Sequence, residues 1–298
     1  MSKYTDGKVQ KAKSSQQDLI DSGERLSADP DKMSTIGVSV GMQVRVSRDS
    51  SADMALYTFY EEMEEVYSSN ARMGYSGRAR LAQTSTPILV DVDSQVVHPT
   101  YDEAEAEANS EFIEQLDERE SSSSDARLCA IAPHGGNIES FTAEQAERVF
   151  SQLNDADKDV DCWRCKGFKS GGGAFDRWHI TSDELDKRSF PKLASIADKG
   201  FDYCVAFHGM SEDGIIIGGL ASTALKTEIK EAIEDALDGS GIDVVLWASG
   251  SYGGQAEGNL VNWLCGGDGV QIEQSYEARS EHWQAIADAV AGVFASKL

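Results

Sequence analysis

Positive charge is scarce in this chain of 298 residues. Lys and Arg number 27 against 51 Asp and Glu, a formal net charge of −24. A surface of that sign repels a phosphate backbone, so nucleic acid is excluded as a partner. No run approaches the roughly 18 apolar residues that a membrane span requires. The opening residues, MSKYTDGKVQKAKSSQQDL, lack the apolar stretch of a secretory leader, so no signal peptide is expected. Asn-x-Ser/Thr acceptors are missing, and so are internal repeats. Histidine is rare, with five in all, and cysteine numbers five, an odd count. Four of the cysteines sit in apolar or strand-like runs, which fits a reducing compartment. Cys162 and Cys165 match C-x-x-C. On a strand, positions three apart face opposite ways, and no second pair exists to complete a zinc ribbon. A redox or structural-zinc reading is therefore set aside.

The chain is long enough for one large domain, or for a main domain with a smaller companion, and 40% apolar content allows a sizeable core. Acidity is spread along the chain rather than confined to a tail. Salt screens the self-repulsion of such a surface, which points to a high-salt organism; an ordinary acidic cytosolic protein is the alternative.

Residues 1–35 are polar and read as a flexible or partner-bound arm. From Val38 the pattern alternates: VSVGMQVRVS, ALYTFYEEM, SGRARLAQ and ILVDVDSQVV read as short strands of a small β-rich module at 36–97. YDEAEAEANSEFIEQLDE reads as a helix with Asp102 and Glu103 near its positive end, and ERESSSSDAR as a loop. Beyond it, strands and helices alternate. RLCAIAP, DVDCWRCKGF, DYCVAF, DGIIIGG, DVVLWAS and GVQIEQ are predicted strands. TAEQAERVFSQL is a predicted helix with a capping box, Thr142 with Gln145. PKLASIADKG, TALKTEIKEAIEDALDGSG and HWQAIADAVAGVFASKL are further helices. The pattern predicts an α/β domain over 98–298 with a parallel or mixed sheet.

His134 and His208 each lie just beyond an apolar strand, CAIAP and YCVAF. That sheet edge is where ligands bind in open α/β folds. Gly135 and Gly136 permit a tight turn after His134, which could bring Glu139 back beside it. Two imidazoles and a carboxylate make three protein ligands, the catalytic zinc arrangement; structural zinc prefers four closed ligands rich in Cys. Glu273, near the end of the strand GVQIEQ and on the same side as Gln271, is a candidate general base. From spacing alone it could equally be a surface Glu on an edge strand.

PHGGNIE, WRCKGFKSGGGAFDRWHITS, VAFHG and GVQIEQSYEAR, in this order, resemble the poly-γ-glutamate hydrolase family, with members in phages, prophages and haloarchaea. The catalytic resemblance covers about residues 127–290, and the alternating 38–97 resembles an N-terminal extension found in some members. The family resembles zinc carboxypeptidases in fold, which implies a twisted mixed sheet flanked by helices, beside the small β-rich module. It implies zinc ligands His134, Glu139 and His208, and Glu273 as base. Four residues separate His134 from Glu139, as in the hydrolase family, where zinc carboxypeptidases usually show H-x-x-E. The resemblance also places His179, in WHITS, at the substrate site; a purely structural role for it stays open.

The implied reaction is hydrolysis of γ-linked glutamyl amides in an anionic polymer. Arg164, Lys166, Lys169, Arg177 and Arg279 are candidates to stabilise an oxyanion or hold a substrate carboxylate. From Arg164 to Lys169 there are three cations and no acid, a local basic patch, unless these cations form surface ion pairs. Two other readings stand: a zinc deacylase or carboxypeptidase acting on a small N-acyl amino acid, and a virion or surface component that retains the hydrolase fold. The second would use residues 1–97 for a virion or other protein partner. A cytoplasmic or virion-associated location follows.

Overall fold

The computed structural model describes residues 2–63, 70–119 and 127–298. Most of the loop expected at ERESSSSDAR lies outside them. The chain divides into two compact units, one of residues 1–100 with 171–191 and one of 101–170 with 192–298.

The first unit is built on six strands: β1 (Lys3–Lys11), β2 (Arg25–Ala28), β3 (Gln43–Arg48), β4 (Met54–Glu62), β5 (Asn70–Met73) and β6 (Ile88–Asp93). They form a closed barrel in the order β1-β5-β2-β4-β3-β6, with β6 antiparallel to β1. Period-two alternation fills it. Ile88, Val90 and Val92 point inward from β6, and join Val44, Val46, Tyr57 and Phe59 in one buried cluster. Each such side chain contributes about 1.5–3 kcal/mol on burial.

Three expectations are corrected here. Residues 1–35 are not an arm: β1, β2 and two short helices occupy them. Only Gly7 and Val9 are buried along β1, so the strand is held by ladder hydrogen bonds to β5 and β6 rather than by apolar area. SGRARLAQ is not a strand; Tyr75–Arg80 is a helix. Its Arg78 is buried, and its guanidinium donates to the carbonyls of Met73 (2.6 Å) and Thr84 (3.0 Å), which fixes the turn. The module is also not contiguous, since 171–191 belongs to it. Gln43 ties that segment in: its backbone N–H donates to Ser189 Oγ, its side-chain N–H to the Glu184 carbonyl, and its Oε1 accepts from Asp186 N–H.

The second unit carries β7 (Phe112–Glu118), β8 (Leu128–Gly136), β9 (Val160–Gly167), β10 (Tyr203–Gly209), β11 (Ile215–Gly218), β12 (Val244–Leu246) and β13 (Gly269–Gln274). The sheet order is β12-β11-β13-β10-β8-β9-β7. Strands β13, β10, β8 and β9 run parallel; β7 and β11 pair antiparallel to their neighbours β9 and β13. This is the expected α/β unit with a mixed sheet. The helices Thr142–Asp155, Thr223–Ala236 and Tyr276–Ala295 pack on one face. Val149, Ile229 and Val290 from these helices share a buried cluster with Ala130, Val205, Phe207, Val270 and Ile272 of the strands. By alternation, His208, Gln271 and Glu273 face the other way.

Two local readings change in this unit. The helix expected from Tyr101 ends at Asn109, because Ser110 turns left-handed (φ 57°) and 112–118 pairs with β9 instead. The capping box at Thr142 does not form. Phe141 holds the cap position at φ 76°, and Thr142 Oγ1 donates to the Glu139 carbonyl (2.8 Å). Among the described residues no helix is long and apolar enough to cross a membrane.

Candidate metal centre

β8 and β10 are hydrogen-bonded neighbours, and their ends carry His134 and His208. Strict alternation would turn His134 toward the helices with Ala130 and Ala132. The register against β9 shifts between Ala132 and Gly135, which breaks the alternation at His134. The two imidazole rings come to 5.0 Å between centroids, inclined at 59°. Gly136 adopts φ 70°, and the Glu139 N–H donates to the His134 carbonyl (2.8 Å), closing the turn that returns the carboxylate.

Glu139 lies between the imidazoles. Its Oε1 is 3.3 Å from His134 Nδ1 and its Oε2 is 3.4 Å from His208 Nδ1. Two ligands at zinc's usual distance on a tetrahedral ion stand about 3.3 Å apart, and each of these two nitrogen–oxygen pairs has that spacing. All three side chains are buried. Burial pushes the Glu139 carboxyl up, yet the two imidazoles outweigh it and hold the group well below the usual carboxylate range. The Gly209 N–H donates to Glu139 Oε2 (2.9 Å) and orients it. That backbone donor is not legible in the sequence, because it depends on the pairing of β10 rather than on residue type.

Glu273 is directly across from His208 in the parallel pair β10/β13. It is no surface residue on an edge strand: β13 lies inside the sheet and the side chain is buried. Burial pushes its carboxyl up to about 7; His208 and a hydrogen bond from Gln271 work downward, and Glu139 upward. Arg279, at the start of the closing helix, is buried as well. Its guanidinium donates to the carbonyls of Ser140 (2.6 Å) and Gln274 (3.3 Å) and interacts with both Glu139 and Glu273. It lies over Gly209, where any side-chain carbon would come within 2.6 Å of it. His134, Glu139, His208, Glu273 and Arg279 thus converge.

The expected basic patch does not form from Arg164 and Lys166. Lys166 is 2% exposed and its ammonium is 2.7 Å from both Glu103 and Glu147. Arg164 is 5% exposed and pairs with Asp117 (2.7 Å) and Glu147 (3.0 Å). Their charges are neutralised in a buried network beneath helix Thr142–Asp155, because alternation along β9 sends both side chains to one face. Lys169 is half-buried, with its backbone N–H on Asn137 Oδ1 (3.4 Å). Arg177 and His179 belong to the barrel unit. Arg177 donates to the Ala52 carbonyl. His179 bonds through Nδ1 to Glu24 and stacks on Phe175 at 4.2 Å.

A prophage-derived protein of Bacillus subtilis (strain 168), SPbeta prophage-derived UPF0714 protein YoqZ, is 29% identical over 160 residues, which are 53% of this chain and 52% of that one. The chain thus spans about half the length of that relative. Among solved structures, one titled "YNDL-apo (Zinc-free)" matches at 21% identity and TM-score 0.46, over 61% of this chain and 89% of its own. A metallo-carboxypeptidase from Burkholderia cenocepacia matches at 10% identity and TM-score 0.44, over 86% and 80%. The family model described as poly-gamma-glutamate hydrolase matches residues 101–289, which hold His134, Glu139, His208, Glu273 and Arg279, and the chain belongs to that family.

Proposed function

We propose that this protein is a zinc-dependent hydrolase of γ-linked glutamyl amide bonds, acting on poly-γ-glutamate. The observation that carries the reading is the convergence of His134, Glu139 and His208, with two nitrogen–oxygen separations of 3.3 and 3.4 Å, beside a buried carboxylate. Two imidazoles and one carboxylate leave a position open, as catalytic zinc sites do. When bound, zinc supplies Lewis acidity toward the amide carbonyl and brings the pKa of water to about 7. Glu273 takes the proton of the attacking water and returns it to the departing amine. Its carboxyl, raised by burial to about 7, suits both directions of transfer near neutrality. Arg279 supplies a fixed positive charge on the same side, for the developing oxyanion or a carboxylate of the substrate.

Family membership over 101–289 supports an anionic glutamyl polymer as substrate. A net charge of −24 opposes such a polymer at low salt. At about 1 M salt the screening length is only about 3 Å, so the reading includes a high-salt setting in which the repulsion fades. The prophage origin in the name of the B. subtilis relative supports a phage-linked source and a cytoplasmic or virion-associated location. The barrel unit then positions polymer or docks a virion or other protein partner.

The test is incubation of the purified protein with poly-γ-glutamate at several salt concentrations, with polymer length followed by gel filtration. Zinc-dependent shortening, abolished by a chelator and restored by zinc, is expected. An intact polymer under all conditions, with cleavage of a small N-acyl amino acid instead, would replace the polymer by the small substrate.

A further inference from the structure

Glu273 does not stand alone on its face of β13. Gln271, two residues earlier on the same face, donates from Nε2 to Glu273 Oε1 at 2.9 Å. The Oε1 of Gln271 accepts from Asn259 Nδ2 at 3.1 Å. Asn259 caps the short helix Leu260–Trp263, and its own Oδ1 accepts from the Val261 N–H at 3.2 Å. Both amide side chains are buried. A primary amide can be turned end for end, so its direction is set by its partners. Here the direction is forced from one end. A backbone N–H can only donate, so Asn259 must present oxygen to Val261 and nitrogen to Gln271. Gln271 must then present oxygen to Asn259 and nitrogen to Glu273. Gly254 closes the other side: at φ 56°, a side-chain carbon there would lie 2.6 Å from Gln271 Oε1.

We propose that Asn259 and Gln271 are positioning residues for the base, a one-way chain of donors running from the Val261 amide to the Glu273 carboxylate. The inference rests on the reading of Glu273 as the general base. A donor fixed on Oε1 locks the carboxylate rotamer and leaves Oε2 to face the reacting water. Nothing in the local sequence marks Asn259; it reaches β13 through a loop whose shape Asn262 maintains, donating to the carbonyls of Gly254 (2.7 Å) and Ala256 (2.8 Å).

Two substitutions separate direction from mere packing. Asn259→Asp keeps the cap on Val261 and removes the donor to Gln271. Gln271→Met keeps the length of the side chain and removes both ends of its amide. Each is made alone and together in the zinc-loaded protein, and kcat, KM and zinc content are measured on whichever substrate the parent cleaves. Each single variant is expected to lose about 10–100-fold in kcat, the usual effect of a supporting partner, with KM and zinc content near those of the parent. The double variant should lose no more than Gln271→Met, since both act through one contact. Losses that multiply in the double variant, or a Gln271→Met kcat within twofold of the parent, would overturn the proposal. Failure of the functional reading appears separately, as a parent that cleaves nothing. In that event the chain of donors is decided by the side-chain amide resonances of Gln271. They should move upfield in Asn259→Asp and in Glu273→Gln, and unmoved resonances would overturn it.

Discussion

At the scale of single residues, the centre separates two carboxylates by their surroundings. Glu139 is flanked by His134 and His208 and is held ionised; Glu273 is buried with less compensation and titrates near neutrality. These opposite environments suit the proposed roles of ligand for the first and base for the second. Glu273→Gln keeps the shape and removes the proton acceptor. Fold and zinc content are expected to stay, while kcat falls about 10²- to 10⁴-fold, or about 3–5 kcal/mol of barrier at 1.36 kcal/mol per decade. Hydrolysis at the parent rate would remove Glu273 from the reaction. The neighbouring positions of His134 and His208 were legible in the sequence, because both follow apolar strands. Pairing partners were not legible. Arg164 and Lys166 look like an open basic patch in one dimension, and only the fold brings Asp117, Glu103 and Glu147 to them.

Secondary structure was legible where burial drives it. The strands β8 and β10 are largely apolar runs, β13 alternates Val270 and Ile272 with polar residues, and all three stand where the sequence places them. It was not legible where hydrogen bonds rather than apolar area hold an element. The polar β1 is fastened to β5 and β6 through its backbone, and the helix Tyr75–Arg80 is fixed by one buried guanidinium. The segment 171–191 is held to the barrel in a similar way, by polar contacts. Glu24 accepts from the Thr181 N–H (2.8 Å) and bonds to His179. Burial works to raise the Glu24 carboxyl, but His179, Arg80 and the Thr181 amide outweigh it and lower it. A lowered carboxyl stabilises the fold above its ordinary range, and this contribution is lost as pH falls through the lowered value. Glu24→Gln should therefore be less stable than the parent at pH 7, and the gap should close with acidification. Denaturant midpoints across that pH range check this; a gap that widens in acid would contradict it.

At the scale of the whole molecule, the three proposed ligands and the base all lie in 101–170 and 192–298, while the barrel takes its residues from both ends of an interruption. The sequence showed two regions of different character and misjudged their boundary, because no composition change marks 171–191 as part of the barrel. A chain that begins at Tyr101 keeps the proposed ligands but strips 171–191 of Gln43 and Glu24. It is expected to bind about one zinc, while 171–191 becomes the first site of limited proteolysis. A folded truncated chain that holds no metal would show that the barrel contributes to the centre.

His134, Glu139 and His208 are proposed to hold one catalytic zinc. The most direct test of that proposal is the zinc content per chain, by plasma mass spectrometry, after loading and exhaustive dialysis of the parent, His134→Ala, His208→Ala and Glu273→Gln. About one zinc is expected in the parent and in Glu273→Gln, and loss of nearly all of it in both histidine variants. A parent that retains no zinc, or a His208→Ala protein that keeps its full complement, would contradict it.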